Sequence, residues 1–170
     1  MELTGARYAD RPTVQVQTRI SAPPDQVWPL VCDPLLMATF SDEVQTVEWV
    51  DGSGPATVGT RFRGHNKHRS IGEWTTTSTV IECEPPRVFA WAVEDPAEPT
   101  ATWRFILEPD GDATVLTQWV QMGPARSGLS LAIDAMPDKE QKIVFGRLRE
   151  FELGMQANLA AIKQRVESTA

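Results

Sequence analysis

The chain has 170 residues, 41% apolar and 23% charged, a composition that builds an ordinary globular core without disulfide staples. Its formal net charge of -7 works against binding nucleic acid or an anionic membrane surface. The richest basic stretch, Arg61 to Arg69, holds only four Lys or Arg and reads as a solvated strand end and turn.

Residues 1–12 are polar, end in Pro12 and read as a loose leader before a single domain over 13–170. They contain no apolar h-region, and no run approaches 18 apolar residues. The expectation is a cytoplasmic protein, monomer or homodimer, that inserts in no membrane. From Thr13 the chain alternates: Val14, Val16, Thr18 and Ile20 share one face, and Gln15, Gln17 and Arg19 the other. That period of two is a strand with one wet side.

Pro23 and Pro24 end the strand, and Asp25 suits a helix start. Pro29 and Pro34 forbid one long helix, so two short helices are expected near 25–32 and 34–39. Their apolar residues Val27, Trp28, Val31, Leu35, Leu36 and Phe40 should plug one end of a core. Strands then follow at 44–51, 60–66, 73–84, 87–94, 100–108 and 113–122, with turns at GSGP (52–55), Pro85-Pro86, EDPAEP and PDGD. PDGD is the strongest hairpin signal, because Asp-Gly supplies positive-φ positions.

The tail changes period. Val144, Leu148, Phe151, Met155, Leu159, Ile162 and Val166 recur in steps of four and three, the pattern of one helix stripe over 138–167. Such a helix is about 45 Å long at 1.5 Å per residue. Residues 123–137 read as a loop with a helical turn at Leu129–Ala135, a candidate lid.

The element order gives an α+β helix-grip fold. A curved seven-stranded antiparallel sheet wraps a long C-terminal helix, with two short helices after the first strand. One helix, about 10 Å wide, cannot fill the concavity of so large a sheet. Large side chains or a ligand must fill the rest. Alternation groups Trp74, Thr76, Ser78 and Val80; Phe89, Trp91 and Val93; and Trp103, Phe105 and Leu107 on the face toward the helix. Thr76 and Ser78 leave room there and offer hydrogen bonds. On the last strand either Leu116, Gln118 and Val120 or Val115, Thr117 and Trp119 face inward. Phe151 and Met155 face the sheet, against core or ligand.

The stretches RFRGHNKHRSIGEWTTTSTVIECEPPRVFAW and ATWRFILEPDGDATVLTQ, in this element order, resemble the SRPBCC superfamily. Within it the chain is most similar to polyketide cyclase/dehydrase-like members; the superfamily also includes START lipid-transfer domains. The resemblance spans about 13–166 and implies a ligand cavity between sheet and helix. It carries no invariant catalytic triad. Cyclase-type relatives place polar residues in that cavity, which here nominates Asn66, Thr76, Gln118 and Arg147. The candidate lining is therefore Asn66, Trp74, Thr76, Ser78, Phe89, Trp91, Trp103, Phe105, Gln118, Arg147, Phe151 and Met155.

Chemistry-bearing residues receive plainer readings. His65 and His68 lack a third metal ligand nearby, so a structural or exposed role is expected and no metal. Asp33, Asp42 and Glu43 read as solvated carboxylates, and Cys32 and Cys83 as buried free thiols. Arg147 and Arg149 are expected near the surface, paired with Glu140, Glu150 or Glu152. Ser127, Ser130 and the TTTST run, Thr75–Thr79, have no base at a recognised spacing. No glycine-rich nucleotide motif occurs, so no cofactor is expected. The first expectation is binding of a small hydrophobic molecule: a polyketide, lipid or steroid-like compound. The alternatives are a cyclase/aromatase or dehydratase in the same cavity, and a co-chaperone-like protein whose cavity is filled by its own side chains. Whether any reaction is catalysed stays open.

Overall fold

The computed structural model describes residues 5–50, 52 and 54–169. Residues 1–4 of the expected leader, the strand end at 51 and position 53 of the turn lie outside these. The seven strands are β1 (Thr13–Ile20), β2 (Val44–Trp49), β3 (Arg61–His68), β4 (Gly72–Glu84), β5 (Val88–Val93), β6 (Ala101–Asp110) and β7 (Ala113–Met122). They form one antiparallel sheet in the order β1-β7-β6-β5-β4-β3-β2. Among the described residues, only the β1–β7 pairing joins distant strands, with Val16 opposite Gln118.

Helices α1 (Pro24–Val31) and α2 (Met37–Phe40) follow β1, separated by a 3-10 turn at Pro34–Leu36. Asp33 caps that turn, accepting from the Leu35 N–H at 3.0 Å. Val27 and Val31 are buried as the plug requires, whereas Leu35 points to solvent because the turn rotates it outward. Helices α3 (Gly128–Ala135) and α4 (Glu140–Ser168) complete the chain.

The β6–β7 hairpin turns in two residues, Gly111 and Asp112, between paired Asp110 and Ala113. Gly111 takes φ +60°, so glycine fills the first central position rather than the second. A bulge in β4 changes its alternation. Val80 pairs with Trp91, and Cys83, three residues on, pairs with Phe89, so both face the helix. The last strand resolves to one face: Leu116, Gln118 and Val120 are buried beneath α4. Trp119 lies outside, with the Arg104 guanidinium 4.9 Å from its ring.

The α4 stripe behaves as its spacing dictates. Val144, Leu148, Met155, Leu159, Ile162 and Val166 are buried, with Phe151 partly so. They join two apolar clusters. One surrounds Ile20, Val27, Phe89, Leu116, Ile162 and Val166. The other surrounds Val14, Val120, Met122, Val144 and Leu148. The segment before β1 is not loose over residues 5–12. Tyr8 donates its hydroxyl to the Ala125 carbonyl at 2.6 Å, and Arg7 pairs with Glu140 at 2.8 Å. Among the described residues, no helix is long and apolar enough to cross a membrane.

Candidate functional site

Helix α4 packs along β1 and β7, and the curved sheet leaves a gap on the β3–β5 side. The result is a cavity of about 900 Å³, within the range of small-molecule sites. The side chains expected to fill a collapsed core instead form its walls. Trp91 and Trp103, cross-strand partners on β5 and β6, stack at 6.3 Å with planes 9° apart. Phe151 of α4 meets Trp103 edge-on at 5.1 Å, and Phe105 lies 5.9 Å from Trp91. These are favourable aromatic geometries, so the walls are preorganised.

Asn66, Trp74, Thr76, Ser78, Trp91, Trp103, Phe105, Gln118, Arg147, Phe151 and Met155 all border this cavity. Phe89 does not. It is 0% exposed, packed edge-to-face on Trp28 at 6.4 Å, and belongs to the closed core. It sits nearer the α1 end of β5 than Trp91, where the plug already fills the concavity. Asn66 donates weakly to its own neighbourhood, the Gly64 carbonyl at 3.3 Å and Thr76 Oγ1 at 3.4 Å.

One end of the cavity is charged, and sequence reasoning missed its organisation. The Arg147 side chain is only 11% exposed, not a surface cation. Its guanidinium grips Glu43 with two hydrogen bonds, 2.7 Å to Oε1 and 3.1 Å to Oε2. It also donates to Glu150 at 2.8 Å and lies 4.5 Å over the Phe151 ring. Burial works against the Arg147 charge, but hydrogen bonds and attraction from Glu43 and Glu150 outweigh it and raise its pKa. His68 extends the cluster, its Nε2 3.1 Å from Glu150. The Ser70 N–H donates to His68 Nδ1 at 3.0 Å, so Nε2 carries the proton directed at Glu150. Glu43, read as solvated, is therefore half-buried and paired, while Asp42 remains exposed.

The two histidines do not meet in one site. On a strand, positions three apart point to opposite faces. His65 turns outward, 47% exposed, and pairs with Glu48 at 3.2 Å. Among the described residues no cluster of three potential metal ligands occurs. Arg149 pairs with Glu152 on the outer side of α4. Cys32 and Cys83 are free and half-buried. The Cys32 thiol is pushed up to about 11 by burial, with Cys83 and Asp33 adding to the effect. A further polar pair was also missed: Asn158 donates to Gln118 Oε1 at 3.5 Å across the cavity. Its sequence signal was a polar residue three positions after Met155, at the margin of the apolar stripe.

A curved antiparallel sheet closed on a long C-terminal helix around a cavity defines a helix-grip protein of the SRPBCC type. The chain belongs to the family described as polyketide cyclase / dehydrase and lipid transport, matching it over residues 11–167. Among solved structures it is similar to a polyketide cyclase-like protein from Corynebacterium glutamicum, at 30% identity over 91% of each chain, TM-score 0.65. It also shares its fold with the ZhuI aromatase/cyclase from Streptomyces sp. R1128, at 19% identity over 91% of this chain and 95% of that one, TM-score 0.64. The di-domain aromatase/cyclase StfQ of the steffimycin biosynthetic pathway aligns at 13% identity over 95% of this chain and 53% of its own, TM-score 0.71. A comparison with curated proteins finds no match.

Proposed function

We propose that this protein binds a small, largely apolar molecule, polyketide-, lipid- or steroid-like, in the cavity between the sheet and α4. The observation that carries this reading is the open volume of about 900 Å³ behind a stacked aromatic wall. A dry core would close such a gap, because interiors pack to near-crystal density. The volume also argues against a cavity filled by its own side chains. Family membership and the named aromatase/cyclase neighbours support a polycyclic or polyketide-like occupant. A cytoplasmic setting accords with two unpaired thiols, which reducing compartments preserve.

The cyclase or dehydratase reading is favoured by one observation, the Glu43–Arg147–Glu150–His68 cluster beside the cavity. An imidazole and carboxylates beside the cavity are the group types that give and take protons in general acid–base work on an entering carbonyl compound. Such a role would need one of them against the bound molecule.

Pyrene, an apolar polycycle, tests the binding reading. Its emission should be sensitised by Trp91 and Trp103 with saturable one-to-one stoichiometry. Thr76→Trp, which fills the cavity from β4, should abolish sensitisation while leaving the melting temperature within a few degrees. Equal pyrene binding by Thr76→Trp, or none by the parent, would sink the proposal. Native mass spectrometry of protein from its own source would then weigh the natural occupant.

A further inference from the structure

Resting on that binding reading, we infer that Asn158 and Gln118 form a polar subsite that accepts a hydrogen bond from a hydroxyl group of the bound molecule. Asn158 stands on α4 between Met155 and Leu159, two buried members of the apolar stripe. Gln118 faces it from β7 and is itself buried. The Asn158 amide N–H donates to Gln118 Oε1 at 3.5 Å, and Asn158 Oδ1 is left buried with no partner. Among the described residues it is the only buried side-chain nitrogen or oxygen in that state.

Buried polar atoms are nearly always hydrogen-bonded, and an exception at a cavity wall points to a missing partner. That partner must be a donor, because a carbonyl oxygen only accepts. Both residues border the cavity, so the partner can arrive with a guest. Arg147 lies eleven residues earlier on α4, which at 1.5 Å per residue separates the charged end from this amide pair by about 16 Å. Between them on the helix stand Phe151 and Met155, Trp103 of the sheet meets Phe151 edge-on, and Phe105 lies in register with Gln118. The subsite therefore takes an elongated apolar molecule bearing a phenolic, enolic or alcoholic hydroxyl at the end remote from Arg147.

The test compares 2-naphthol with 2-methoxynaphthalene, which differ in having and lacking the O–H donor, as competitors of pyrene. The parent protein should prefer 2-naphthol about tenfold. Asn158→Asp, which keeps an acceptor, should retain the preference. The double variant Gln118→Leu/Asn158→Leu should still take up pyrene saturably, at an affinity measured for itself, yet no longer distinguish the two competitors. Pyrene affinity thus reports folding and an open cavity apart from hydroxyl recognition. Equal affinities in the parent, or a preference that survives the double variant, would overturn the subsite while leaving the cavity reading intact. Failure of the parent to bind pyrene would overturn both.

Discussion

Arg147 on α4 and Glu43, just before β2, are joined by two parallel hydrogen bonds of 2.7 and 3.1 Å that tie the helix to the far edge of the sheet. They lie 104 residues apart in sequence, and β2 is the strand farthest from β1, along which α4 packs. The pair therefore spans the cavity side of the molecule, where side-chain packing between helix and sheet is thinnest. A fork-to-fork geometry suits this role because guanidinium and carboxylate match two bonds at once.

Arg147→Met keeps the stem on Phe151 and removes the charge. With Arg147 at 11% exposure and Glu43 at 31%, the pair lies between a surface bridge and a buried one. Loss of about 1–2 kcal/mol is expected in urea denaturation. A double-mutant cycle with Glu43→Gln should return coupling of about 1 kcal/mol. Stopped-flow release of pyrene should accelerate in Arg147→Met, because the tie across the cavity is gone. Coupling near zero would show that the two groups do not act together.

Much of the architecture was legible because period is a backbone property. The alternation from Thr13 to Ile20 and the four-three steps from Val144 to Val166 each bury one face with no reference to the rest of the chain. The cavity walls followed from the same alternation. Ion pairing was not legible. Nothing local distinguishes Glu43 from Asp42, one held by Arg147 and the other exposed, because their difference is set by a helix a hundred residues later. Phe89 shows the limit of facing as a criterion. It shares its inward face with Trp91, but the α1 plug closes over it and leaves Trp91 at the void.

Phe89→Ala and Phe151→Ala should therefore separate core from cavity. Phe89 is 0% exposed and fully packed, so its truncation should cost about 3–5 kcal/mol by denaturation. Pyrene affinity should change little in whatever fraction remains folded. Phe151, half-buried against the void, should cost about 1–2 kcal/mol, since the cavity already exists, and should weaken pyrene binding several-fold. The reverse ranking in stability would contradict the division drawn between the two residues.

Glu167 gives an acid-side prediction. Its carboxylate accepts from the Ser21 N–H at 3.0 Å and pairs with Lys163 at 3.1 Å, tying the end of α4 to β1. These contacts, led by the Ser21 bond, lower its pKa from an ordinary 4.5. A depressed carboxyl pKa adds stability that is present at neutral pH and disappears as pH falls through the folded-state value. The parent should thus exceed Glu167→Ala slightly at pH 7, and the gap should narrow steadily below pH 4.5. Melting curves at matched ionic strength measure it. A gap that widens in acid would carry the wrong sign.

Cys32 gives the alkaline counterpart. Burial, helped by Cys83 and Asp33, raises its thiol from 9.0 to about 11. The folded state then favours the protonated thiol more than the unfolded chain does. Its contribution is complete below pH 9 and is lost as pH rises toward 11. For a half-exposed group, solvent screening reduces the effect to about 1 kcal/mol. Cys32→Ala should therefore flatten the fall in stability between pH 9 and 11, leaving a smaller slope from Cys83, whose pKa burial also raises. Thiolate is the reactive form, so iodoacetamide should label Cys83 before Cys32 at pH 8.5, read by peptide mass spectrometry. Faster labelling of Cys32 would place its thiolate at lower pH than its burial permits.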